Sequence, residues 1–245
     1  VGETAYHSGG RAISDIPLQD LCGEGVVADI SALVGDYDLY TPAMIESVVD
    51  VKEGDVLIIN TGYNRYSWDM PDVFNPKAQG GVESKEFGFL VRHPGPAPEF
   101  FQWVLDKKLK WVGVDCGSIE HPMNTPIRRM HETEFKKAEA KLVAKYGKTW
   151  DEMFPQDWYY EMTHVTLPQN HVIFVESIVG QVNELKNQRA WLMVQPIPFM
   201  EVETAWARVV AYQAPEGMPE KEFFAAMQGA EMFDMSVPFS VRSPQ

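Results

Sequence analysis

Cysteine is nearly absent, with only Cys22 and Cys116 in 245 residues. Two thiols so far apart make neither a disulfide framework nor a zinc knuckle, and they point to a reducing cytoplasm. Basic residues are outnumbered 21 to 35, for a formal net charge of −14. With no basic stripe to offset that charge, binding to nucleic acid or to an anionic membrane by bulk electrostatics is excluded. No apolar run reaches the roughly 18 residues of a membrane span, and the start lacks the charged and apolar regions of a signal peptide. Glycine-rich phosphate loops of the G-x-G-x-x-G or G-x-x-x-x-G-K kind are missing, as is the G-x-S-x-G elbow of serine hydrolases. There is no internal repeat and no low-complexity segment.

What remains is ordinary globular composition, 45% hydrophobic and 23% charged, in a chain long enough to bury a full core. One domain with elaborations is the expectation. The chain opens on Val1 in what reads as a loop, so an upstream segment, removed or carried on another chain, is also expected.

Strands are predicted at Gly25 to Ser31, Asp55 to Asn60, Trp111 to Asp115 and His171 to Val175. The near-continuous apolar character of DVLIIN suits a sheet covered on both faces. Thr41-Pro42 opens a short helix through Val49, as N-cap and first-turn proline. Pro96 to Leu109 reads as an amphipathic helix through Phe100, Trp103 and Val104, and Met130 to Tyr146 as a long charged helix ended by Gly147. A short aromatic helix is predicted from Gln156 to Met162. Asn64 to Pro94 reads as a long loop, a pocket wall or an oligomer contact. Ala190 to Pro196 and Ala205 to Tyr212 read as closing paired strands, and Phe223, Met227 and Ala230 as the apolar face of a last helix. Helix, strand and loop in alternation is the rhythm of an α/β fold.

Chemistry-bearing residues gather at strand ends. HVTLPQNHVIFVE, His164 to Glu176, sets an imidazole at a strand entrance and a carboxylate at a strand exit. An ionised Glu at the end of a buried strand needs a partner, and a divalent metal accepts both a carboxylate and a neutral imidazole. The alternative has His164 capping the preceding helix and Glu176 paired with Arg189. The loop after Trp111 to Asp115 carries Asp115, Glu120, His121 and Asn124, and active-site groups collect at such ends. The possible pairs are His7 with Glu3, Asp115 with His121, and His164 with Glu176. Cys116 reads as structural, because the adjacent Asp115 opposes thiolate formation. His93, His131 and His171 also read as structural.

Together, GRAISDIPLQDLCGEGVVADIS, EGDVLIINTGYN, HPGPAPEFFQWVLDKKLKWVGVDCGSIEHPMNT and the His164 to Glu176 segment resemble the cyclase-like metal-dependent hydrolases. These include bacterial kynurenine formamidase and isatin hydrolase. The resemblance covers most of the chain up to about Gln213. It implies a single compact α/β domain with a central buried sheet flanked by helices, spanning residues 1–213. A C-terminal helix and extended arm, 214–245, would lie at an oligomer interface. It further implies a homodimer or homotetramer, a divalent metal (zinc or manganese), and opening of an amide, cyclic amide or lactone by metal-activated water. The family's C-terminal ligand pair is a His and a Glu twelve positions apart, the spacing of His164 and Glu176.

The family's main metal motif, H-x-G-T-H-x-D-x-P-x-H, lies just before the segment matched by Gly10 to Leu18. Without a gap, Ala5 falls at its last histidine and Val1 at its aspartate; a two-residue deletion puts His7 and Glu3 there instead. Either way its first two histidines are not in this sequence. The ungapped register is the more economical; the resemblance assigns His164 and Glu176 to the metal, and the register with the deletion adds Glu3 to the metal and gives His7 proton transfer. Tyr63, Trp68, Phe89 and His121 are the expected contacts to a planar small-molecule substrate, with core packing the competing account of the aromatics.

Overall fold

The computed structural model describes residues 10–67, 87–155, 162–236 and 238. Glu3, His7, Trp68 and the helix expected at 156–162, apart from its last residue, lie outside them. The strands are β1 (Cys22–Asp29), β2 (Leu39–Tyr40), β3 (Val56–Asn60), β4 (Gly95–Pro96), β5 (Trp111–Val114), β6 (Ile173–Val175), β7 (Gln188–Pro196) and β8 (Ala207–Tyr212). The helices are α1 (Pro42–Glu46), α2 (Phe100–Asp106), α3 (Ile127–Met130), α4 (Glu132–Tyr146), α5 (Trp150–Met153), α6 (Met162–Gln169) and α7 (Glu220–Gln228).

Among the described residues the main sheet runs β6-β5-β3-β1-β7-β8, with β1, β3, β5 and β6 parallel and β7 and β8 antiparallel. Both faces are covered, which is why the central strands are apolar almost throughout. On one face Val26, Leu57, Ile59 and Val112 meet Ile45 of α1, Phe100 and Val104 of α2 and Leu167 of α6. On the other, Val27, Ile58, Trp111 and Leu192 pack with Ile13, Ile16 and Ile178. Successive side chains point to opposite faces, so a strand such as VLIIN feeds both clusters.

Local chemistry sets the boundaries. The Thr41 hydroxyl caps α1 by accepting from the Met44 N–H, and Pro42 occupies the first turn. Gly147, at φ 67°, ends α4 in the left-handed region. The helix expected over Pro96 to Leu109 covers only Phe100–Asp106, because Gly95 and Pro96 pair with Leu39 and Tyr40 in a small second sheet. The last helix packs on its own chain: Phe224 joins Cys22 and Trp191 in a separate cluster. No helix among the described residues is long and apolar enough to cross a membrane.

Candidate functional site

The parallel strands bring their C-terminal ends to one edge, the usual place for a site in an α/β sheet. Val175 pairs with Gly113, so Glu176 emerges beside the end of β5. The chain then turns back at once: Ser177 N donates to Cys116 O at 2.9 Å and Ile178 N to Val114 O at 2.9 Å. Gly113 makes room for this turn, since a Cβ there would lie 2.4 Å from Ile178 Cδ1.

His164 and Glu176 meet. His164 Nε2 lies 3.4 Å from Glu176 Oε1, and the side chains are 14% and 24% exposed. The imidazole also sits edge-on to Phe174, with ring centroids 4.7 Å apart. One expectation is corrected here: His164 does not stand at the entrance of β6 but inside α6, a helix that turns back through His171 (φ 61°) into the strand. The Arg189 alternative also fails. Arg189 is held by Asp55, at 2.6 and 3.1 Å, and by Glu24 at 2.8 Å.

Glu176 Oε1 accepts from the Ser118 hydroxyl at 3.0 Å and from Ile119 N at 2.9 Å. Burial alone would raise its pKa, but the His164 ring and these two donors hold the carboxyl below its ordinary range. Glu120, fully buried, accepts at Oε2 from Thr163 N (2.6 Å) and Thr163 Oγ1 (2.8 Å), and at Oε1 from Asn124 Nδ2 (3.0 Å).

The expected pairing of Asp115 with His121 does not form. Asp115 is taken by the loop after β3: it accepts from Thr61 N and Oγ1 at 2.7 and 2.6 Å and from Asn64 Nδ2 at 2.8 Å. His121 lies instead against Trp150, with ring centroids 4.6 Å apart, and accepts at Nδ1 from Met123 N. A Cβ on Gly95 would come within 2.3 Å of His121 Cα, so the glycine is what lets β4 lie on this residue. Burial drives the His121 pKa well down. Tyr63 is buried with its hydroxyl on Asp36. Phe89 is buried too, and its carbonyl accepts from Gly117 N at 3.0 Å, one residue from Ser118. Cys116 is buried, and burial with Asp115 nearby pushes its thiol up, as an inert cysteine requires.

His93 is fully buried close enough to feel the charge of Glu176. Its Nδ1 lies 2.9 Å from Pro94 O, so the proton is on Nδ1 and the lone pair on Nε2. Burial lowers its pKa to about 4, against the opposing pull of the Pro94 carbonyl and Glu176.

Two apolar hollows open beside Glu176, of ≈ 580 and ≈ 360 Å³. Val27, Ile58 and Leu192 wall the first, Ile13, Ile173 and Val194 the second, and Glu176 and Ser177 line both. The larger lies in the size range of small-molecule sites.

No curated protein matches the chain. A family model described as putative cyclase matches residues 3–121. That stretch, just under half of the chain, is similar to the cyclase family. Among solved structures it is similar to a potential metal-dependent hydrolase with cyclase activity (TM-score 0.51, 20% identity, covering 87% of this chain and 77% of that one). It is also similar to an isatin hydrolase bound to the product analogue thioisatinate (TM-score 0.55, 17% identity, 84% and 64%). Isatin hydrolase A from Ralstonia solanacearum is a third (TM-score 0.55, 14% identity, 84% and 65%). The chain thus spans just under two thirds of the length of these two isatin hydrolases. At these identities the likeness is one of fold.

Does this chain present donors that suit a divalent ion? One imidazole nitrogen and one carboxylate oxygen 3.4 Å apart have the separation of two neighbouring ligands on a tetrahedral ion at bond lengths of about 2.1 Å. The donors fit as a pair. Among the described residues no group of three His, Cys, Asp or Glu is arranged to hold a metal. Sequence reasoning missed Ser118 and Thr163 as supports for the pair. A serine two positions after Cys116 and a threonine next to His164 are the signals that were available.

Proposed function

We propose that this chain is a metal-dependent hydrolase that opens the C–N bond of an aryl formamide or cyclic amide of the N-formylkynurenine or isatin type, with a lactone as the next substrate class. The observation that carries this reading is the contact of His164 with Glu176 at the C-terminal edge of a sheet covered by apolar side chains. His164 Nε2 and Glu176 would hold a zinc or manganese ion, with Glu3 and the motif preceding Gly10 as the further ligands. When bound, such an ion supplies a Lewis acid for a carbonyl and lowers the pKa of water.

The chain's own residues prepare that chemistry. Ser118 and Ile119 steady Glu176 as an anion, the state in which a carboxylate ligates. The apolar walls of the hollows beside Glu176 suit a planar aromatic substrate. Proton transfer falls to His7 in this reading. A homodimer or homotetramer belongs to it as well, supported by the exposure of Trp206 and of Phe233 and Met235 past the last helix.

A second reading, a family member that keeps the fold and binds without catalysis, is favoured by one observation: the described residues offer two donors where an ion needs at least three. Metal analysis of the purified full chain after zinc or manganese loading separates the two. About one tightly held ion per chain, with hydrolysis in a screen of formamides, cyclic amides and lactones, supports the hydrolase. No retained ion supports the binding protein.

A further inference from the structure

We infer that Glu120 is a positioning residue for His164, acting through Thr163, and that the loop Ser118–Asn124 sets both halves of the His164–Glu176 pair. This inference rests on the metal-binding reading above.

The loop leaves β5 and holds two partners, one on each member of the pair. Ser118 Oγ and Ile119 N hold Glu176 Oε1, at 3.0 and 2.9 Å. The next residue, Glu120, reaches α6, where its Oε2 accepts both the backbone N–H of Thr163 at 2.6 Å and its hydroxyl at 2.8 Å. The two grips are tied together, because Ser118 Oγ also accepts from Glu120 N at 3.1 Å. Thr163 N is one of the amides that a helix leaves without an intrahelical partner in its first turn, and a carboxylate there caps it and suits the helix dipole. Glu120, 43 residues away in sequence, therefore fixes the first turn of α6. His164 is the next residue along.

Glu120, Thr163 and Asn124 are all fully buried, and no arginine or lysine pairs with Glu120 among the described residues. A buried carboxyl group kept there for packing alone would be replaced at less cost by an apolar side chain. A rigid imidazole is what the arrangement secures. His164 lies edge-on to Phe174 and within reach of Glu176 only while the first turn of α6 is held in register. Supporting groups of this kind typically govern metal affinity by ten- to a hundredfold.

The test compares the full-length wild type with Glu120→Ala, Glu120→Gln and Thr163→Val by two readouts. The first needs no metal: the imidazole proton resonances of His164, displaced by the Phe174 ring current. The second is the affinity for Zn²⁺ by titration. Glutamine keeps an acceptor for Thr163, and Asn124, whose Oδ1 makes no hydrogen bond among the described residues, can turn its amide to receive the new NH₂ group.

Glu120→Ala is expected to return the His164 resonances toward their unshifted position and to weaken Zn²⁺ binding about tenfold or more, and Glu120→Gln to restore most of both. Unshifted behaviour of His164 in Glu120→Ala, or an affinity within about twofold of wild type, overturns the inference even if the melting temperature falls. If Glu120→Ala does not fold, Thr163→Val decides, since it removes only the hydroxyl bond: a partial resonance shift supports the inference and none overturns it. If the wild type binds no Zn²⁺, the hydrolase reading falls and the resonance comparison alone still decides the role of Glu120.

Discussion

Two carboxylates sit at opposite edges of the same parallel sheet, and they are met differently. Asp55 stands at the entrance of β3 and is gripped by the Arg189 fork at 2.6 and 3.1 Å, while its Oδ2 also accepts from Lys52 N at 2.7 Å. Glu176 stands at the exit of β6, facing an imidazole, a hydroxyl and one backbone N–H. At the first edge a permanent cation closes the charge within the protein. At the second the partners orient an anion without neutralising it. In the function proposed above, that difference separates a structural ion pair from a ligand position, and it is open to attack from both sides.

The largest effect is expected at the open edge. Glu176→Gln keeps the shape and the acceptor for Ser118 and Ile119 but removes the charge. Metal retention should fall by more than the roughly hundredfold that loss of a supporting partner costs, and hydrolysis with it, while the melting temperature stays close to wild type. Elemental analysis alongside a thermal melt checks this; retained metal in the variant would remove Glu176 from the site. Arg189→Met is the converse. It leaves Asp55, 4% exposed at its side chain, without its cation, and should cost about 3–5 kcal/mol in chemical denaturation with metal affinity unchanged. If Arg189→Met also lost metal, the two edges would not be independent.

His93 sharpens the comparison through pH. Its folded pKa, about 4, lies below the ordinary 6.5, so burial favours the neutral ring. The stability this contributes is complete above pH 6.5 and is lost as pH falls toward 4, where the unfolded chain binds a proton that the folded one refuses. The span from 6.5 to about 4 corresponds to about 3 kcal/mol. His93→Gln should flatten the stability profile between pH 6.5 and 4, whatever it does to the absolute value at pH 8. A slope equal to that of wild type would mean that His93 is not held neutral.

How much of this was legible in the sequence depends on the distance over which partners were chosen. The parallel strands could be read because VLIIN and WVGV are apolar for a local reason, both faces being covered. The ends of α1 and α4 could be read because Thr41, Pro42 and Gly147 act on their own neighbours. The pairing of His164 with Glu176 was readable from resemblance, but the position of the imidazole in α6 was not, since the helix extends through Pro168 before the chain turns. Asp115 and His121 were close in sequence and separate in space. Asp115 was claimed by Thr61 and Asn64, more than 50 residues away, and His121 by Trp150. Spacing along the chain carries no record of such choices. The same holds for Glu120 and Thr163, whose bond joins a loop to a helix 43 residues away.

The smallest effect is expected from Ser118→Ala. Glu176 would keep the Ile119 N–H and the His164 ring but lose one donor, and a hydrogen bond from a half-buried hydroxyl to a carboxylate is worth about 1–2 kcal/mol. Because the partners of Glu176 hold its pKa below the ordinary range, their contribution is present above the unfolded value of about 4.3 and is lost as pH falls through the folded one. The stability gap between wild type and Ser118→Ala should therefore be full at pH 7 and close in acid, whereas the Arg189→Met gap should close at a higher pH, because burial raises the Asp55 carboxyl above its ordinary range even beside Arg189. A Ser118→Ala gap that persists unchanged below pH 3 would mean that the hydroxyl stabilises the loop through Glu120 N rather than Glu176, leaving Ile119 as the main support of the carboxylate.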